Sequence, residues 1–125
     1  MLLAVCEDRG IACDLVPRIA TGFCGGLARS GGMCGAVSGA VMALNVVLGR
    51  DAPDAPRDAD YAAVRKLLSA FTERFGTVNC GELLGCDLDT PEGQAFYKEN
   101  ELSQRCRRYT EEAARMAADL LGAAD

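Results

Sequence analysis

The chain has 125 residues, half of them hydrophobic and a quarter charged, the balance of one globular domain with a single core. Its formal charge is −5, and its one basic grouping, Arg105, Arg107 and Arg108, falls in a helical stretch, so we expect no nucleic-acid partner. Histidine and tryptophan are absent, and without imidazole this chain cannot build Ser–His–Asp or Cys–His catalysis, a His-containing zinc site or imidazole haem ligation.

"MLLAVCEDRG", residues 1–10, begins on apolar residues with no capping side chain ahead of them. It reads as the latter part of a helix over residues 1–9, and with no basic leader it is not a secretory signal. From Asp14 onward, Leu15, Ile19, Phe23 and Leu27 recur every fourth residue, with Pro17 in the first turn. That spacing predicts a second helix, weakened at Gly25–Gly26 and followed by a loop at "RSGG", residues 29–32.

A third helix is expected from Met33 to Leu48, closed by Gly49. This longest apolar stretch falls short of a membrane span of ~20 residues and contains Ser38 and Asn45, so it predicts a buried helix and no membrane span. Gly35, Gly39 and Ala43 form one row and Ala36 and Ala40 the next, which lets another backbone approach closely. Such a face serves a core or the seam of a homodimer. On the core reading, Gly39→Leu overpacks and unfolds the protein.

"RDAPDAPRDAD", residues 50–60, is a surface linker. Tyr61, Val64, Leu67, Leu68, Phe71 and Phe75 then follow helical spacing, with Gly76 as the stop. Asn79 followed by Glu82 resembles a capping box and predicts a short helix over residues 79–85. Thr90–Pro91–Glu92 opens another. A last helix runs from about Leu102 to Leu121, with Leu102, Cys106, Tyr109, Ala113, Met116 and Leu120 facing inward. No stretch alternates as a strand. The expected fold class is all-α, an irregular bundle of five or six helices in a single domain over residues 1–125.

Seven cysteines are many for this length, and the number is odd. With no export signal, the expected location is the cytoplasm, where thiols are core filler, metal ligands or redox groups. No CxxC occurs, which argues against thioredoxin-like, rubredoxin-like and ferredoxin motifs, and the glycine pairs form neither GxGxxG nor a P-loop. Cys34 and Cys80 stand at predicted helix starts, where free N–H groups and the positive dipole end favour a thiolate. Cys106 faces the core by periodicity, and Cys86 follows the short helix within range of Cys80 or Cys106. Cys6, Cys13 and Cys24 read as incidental, although Cys24 is placed to fold back beside Cys34. The carboxylates Asp87, Asp89, Glu111 and Glu112 read as solvated faces.

"CGAVSG", residues 34–39, with "FGTVNCGELLGCDL", residues 75–88, and the late helical Cys106 resembles the C-GCAxxG-C-C family of redox-active proteins. The family's Gly-Cys-Ala-x-x-Gly core reads here Cys-Gly-Ala-x-x-Gly. The likeness runs from about Ile19 through the last helix and is carried mostly by "ATGFCGGLARSGGMCGAVSGAVMAL", residues 20–44. It maps Cys34, Cys80 and Cys106 onto three of the family's cysteines and leaves Cys86 and Cys24 as extras. The family's first cysteine has no match in register, since Cys6 is out of phase. Either a late start removes it or Cys24 takes its role, in which case Cys24 should lie near the other three. The resemblance implies a redox role beside oxidoreductase or transporter systems.

Three uses of the cysteines follow. The first is thiol–disulfide chemistry at Cys34, Cys80 and Cys106 with Cys86 as a resolving thiol. The second is a metal or iron–sulfur module on the same four sulfurs. The third is a helical interaction protein in which they only pack.

Overall fold

The computed structural model describes residues 1–124. Seven α-helices are present among them: α1 (Leu2–Asp8), α2 (Cys24–Leu27), α3 (Gly35–Leu48), α4 (Asp58–Phe75), α5 (Cys80–Leu84), α6 (Pro91–Glu99) and α7 (Ser103–Ala124). A 3-10 helix, Arg18–Phe23, precedes α2. The all-helical expectation holds, with more helices than the five or six expected. The described residues contain no strand, only one isolated antiparallel bridge between Met33 and Asn79.

The small side chains of α3 decide the packing. Ala36, Val37, Ala40, Ala43 and Leu44 are buried on it, and α7 lays its own alanines, Ala113 and Ala117, into the same core. Small residues on both partners bring the axes close, and α3 packs against α7, α4 and α1. On α4, Ala63, Leu67 and Phe71 are buried, while Tyr61 is exposed. Phe75 bridges α4 to α7: its ring lies 4.8 Å from Phe71 and 4.9 Å, edge-on, from Tyr109.

Helix ends follow local chemistry. Asn79 accepts a hydrogen bond from the Glu82 N–H and Thr90 one from the Gly93 N–H, each a side-chain cap. Pro91 occupies the first position of α6. Gly76 ends α4 in the left-handed conformation, φ 89°, which glycine adopts without steric cost.

Three element boundaries and one buried face differ from the sequence reading. The expected helix from Asp14 to Leu27 is instead a turn, the 3-10 helix and α2, with Leu15, Ile19 and Leu27 exposed. Three-residue winding cannot keep a four-residue row on one face, and left-handed backbone from Gly25 onward breaks it altogether. The third helix starts at Gly35, not Met33, because Met33 is extended in the bridge to Asn79. Helix α4 begins at Asp58, inside the expected linker, where Asp58 and Asp60 place negative charge at its positive end. On α7, Ala117 and Leu121 are buried, where Met116 and Leu120 were expected to lead and are half-buried.

Gly39 is buried on α3, facing the start of α1. A Cβ there would lie 3.2 Å from Met1 Cβ and 3.3 Å from Met1 Cγ, too close without movement of the methionine. Gly39→Leu should therefore destabilise the protein by about 1–3 kcal/mol through overpacking, read as a lower urea midpoint. An unchanged midpoint would place this face in solvent.

Candidate functional site: a cysteine-lined cleft

Two loops meet at the start of α3 and α5. The Cys34 N–H donates to the Val78 carbonyl at 2.7 Å, and the Cys80 N–H donates to the Gly32 carbonyl at 2.7 Å. These bonds flank the Met33–Asn79 bridge, so Cys34 and Cys80 lie diagonally across it with side chains on one face. Diagonal neighbours stand about 7–8 Å apart at Cα, beyond the separation at which a disulfide closes without backbone movement.

Gly26 makes this junction possible. Its φ is +66°, and a Cβ there would come within 2.7 Å of the Cys80 Cβ and of the Gly32 backbone. It belongs to a run from Gly25 to Arg29 in which every residue has positive φ. The run is pinned by the Gly32 N–H donating to the Gly26 carbonyl at 2.8 Å and the Ala28 N–H donating to the Gly22 carbonyl at 2.9 Å.

Cys24, Cys34, Cys80 and Cys106 line one cleft of about 970 Å³. Cys34 and Cys80 are buried, Cys106 is half-buried and Cys24 is exposed. Cys24 also packs its backbone against Gly35, whose added Cβ would lie 3.2 Å from Cys24 Cα, so it sits on the same side of the bundle as Cys34. Cys86 is half-buried and not among the cleft-lining residues, but its charge is felt at Cys80 and Tyr97. Cys6 is buried on α1, and Cys13 is exposed beside a smaller second groove. All seven cysteines are free thiols. Among the described residues no three Cys, Asp or Glu side chains are grouped so as to hold a metal ion, so the donor set does not fit a zinc or iron–sulfur site as folded.

Sequence reasoning missed Tyr97. Its hydroxyl donates to the Cys106 Sγ at 3.6 Å, after the chain reverses between α6 and α7 at Glu101, φ 52°. A separation of nine residues spanning two helices leaves no periodic signal for such a pair.

The electrostatics oppose the expected activated thiolates. Burial pushes the Cys34 thiol up, the neighbouring Ala36 and Val37 N–H groups pull it down, and burial wins. Cys80 is pushed up from 9.0 to about 11, first by burial and then by the nearby Cys34, Cys106 and Cys86 sulfurs. Burial, then Asp87 and Cys106, also raise Cys86. Tyr97 rises to about 12, through burial and then its hydrogen bond to Cys106, so it remains a donor at neutral pH. A helix N-terminus supplies only partial charge, which is too little to offset taking a thiolate out of water here.

These shifts give stability a direction. The folded state holds its thiol protons to higher pH than the unfolded chain, so the contribution is intact below about pH 9 and is lost as pH rises toward about 11. Urea midpoints should fall across that window, and Cys80→Ser should make the fall shallower. An equal fall in both proteins would remove Cys80 as its source. Gly26→Ala, in which a side chain must enter against Cys80 and Gly32, should cost about 1–3 kcal/mol by the same denaturation measurement.

No curated protein and no solved structure matches the chain. The family model described as "Putative redox-active protein (C_GCAxxG_C_C)" matches residues 1–120. That match spans α1 through most of α7 and includes every cysteine of the cleft. The chain belongs to the C_GCAxxG_C_C family.

Proposed function

We propose that the protein is a dithiol reductant of small disulfides, acting through Cys34, Cys80 and Cys106. The observation that carries this reading is the gathering of three cysteines from α3, α5 and α7, far apart in sequence, on one cleft wall. Membership in a redox-active family supports it as well. Buried packing thiols would have no need of a shared open cleft.

Cys106 is the entry thiol in this scheme, because it is the least buried of the three and carries the Tyr97 hydrogen bond. Its thiolate attacks one sulfur of the substrate disulfide, the S–S bond breaks, and the first substrate thiol leaves with a proton. The thiolate of Cys34 or Cys80 then attacks Cys106 in the mixed disulfide, and the second substrate thiol departs with the second proton. Two protein thiols have become one disulfide, and one substrate disulfide has become two thiols. Cys86 stands outside the cleft wall, and we give it no step.

The raised thiols at Cys34 and Cys80 make the resolving step slow at neutral pH and faster as pH rises.

Treatment of the reduced protein with hydroxyethyl disulfide, followed by peptide mapping, tests the scheme. We expect a disulfide between Cys106 and Cys34 or Cys80, forming faster at pH 9 than at pH 7. In a Cys34→Ser, Cys80→Ser double variant the reaction should stop at a stable mixed disulfide on Cys106. Oxidation confined to the exposed Cys13 and Cys24 would defeat the proposal.

A further inference from the structure

The cleft also indicates what kind of molecule enters it. Its wall is built largely of apolar side chains, among them Leu2, Phe23, Met42, Leu84 and Leu88, and its volume of about 970 Å³ is that of a site for a whole small molecule. Acidic residues outnumber basic ones 18 to 13 in the chain, yet among the described residues no carboxylate lines the cleft. Among the described residues, Arg29 is the only charged side chain on the wall.

Arg29 is also placed there at a cost. It ends the left-handed run, with φ 70°, after Leu27 at 69° and Ala28 at 53°. Left-handed backbone is unfavourable for an L-residue, and three consecutive non-glycine residues bear it here. Strain of this kind persists where surrounding structure over-determines it and gathers at functional sites. Here the fixing bonds are those from the Gly32 N–H and the Ser30 hydroxyl to the Gly26 carbonyl, both 2.8 Å. Arg29 is an exposed residue at the cleft rim, and its guanidinium has no hydrogen bond or ion pair to any described residue. A planar fork of N–H donors, unengaged at the edge of an apolar cleft, matches one carboxylate in bidentate fashion.

We infer that the cleft binds an aliphatic carboxylate, with its chain against the apolar wall and its carboxylate on Arg29. With no acidic neighbour on the wall among the described residues, the Arg29 charge is left unopposed there. The inference names the substrate class of the same thiol cleft and so rests on that reading for its biological sense. In the dithiol scheme, the reducible disulfide is carried on the aliphatic body that lies among the cysteines. Binding itself requires no electron transfer.

Calorimetry on the reduced 125-residue protein with laurate, below its micelle concentration, tests the inference directly. Laurate should bind, dodecanol should bind about tenfold more weakly, and acetate should give no signal at the same concentrations. Arg29→Gln should bring laurate down to the level of dodecanol, while Arg29→Lys, which keeps the charge and loses the fork, should recover part of the difference. Bound laurate should also slow alkylation of Cys34, Cys80 and Cys106 at pH 9 and leave Cys13, on the other groove, unprotected. Equal affinity for laurate and dodecanol, laurate binding indifferent to Arg29→Gln, or protection at Cys13 alone would overturn the inference. Laurate binding with no cysteine oxidation by hydroxyethyl disulfide would remove the redox reading and leave this one standing, and the reverse pattern would remove only this one.

Discussion

Two backbone hydrogen bonds, from the Cys34 N–H to the Val78 carbonyl and from the Cys80 N–H to the Gly32 carbonyl, hold the candidate site together. They join a loop before α3 to a loop before α5, more than forty residues apart along the chain, and fix both helix starts in one place. Nothing larger than a hydrogen atom fits at Gly26 where the left-handed run crosses behind Cys80. The close approach, the left-handed backbone and the pairing of the two cysteines are therefore one arrangement. A side chain at Gly26 would disturb all three together.

Helix α3 carries that junction into the core. Because its inward face is made of alanine, glycine and valine, α7 can lie close against it, and this brings Cys106 to the cleft that Cys34 and Cys80 already border. The turn between α6 and α7 then returns Tyr97 to Cys106. The small-residue rows thus serve a core, and the site is a consequence of how closely that core can pack.

The same closeness sets the character of the thiols. Helix starts attract negative charge, but Cys34 and Cys80 are buried, and their sulfurs crowd one another. Desolvation and mutual repulsion outweigh the partial charge of the helix ends, which leaves neutral thiols at neutral pH.

Much of this was legible in the residues. Glycine stops, the Asn79 and Thr90 caps and the apolar periodicity of α4 and α7 are local signals, because a helix end or a buried stripe is set by side chains within a few positions of it. The family was legible too, through the resemblance of the phrases that flank Cys34 and Cys80. Residues 14–29 were not, because their four-residue spacing imitates a helix while the glycines and the loop contacts impose 3-10 and left-handed backbone. Nor could the sequence show that Tyr97 would meet Cys106, that Arg29 would stand alone on an apolar wall, or that Cys34 and Cys80 would hold their protons. Those properties depend on which distant segments share a low-dielectric space, and burial and through-space charge have no period along a chain.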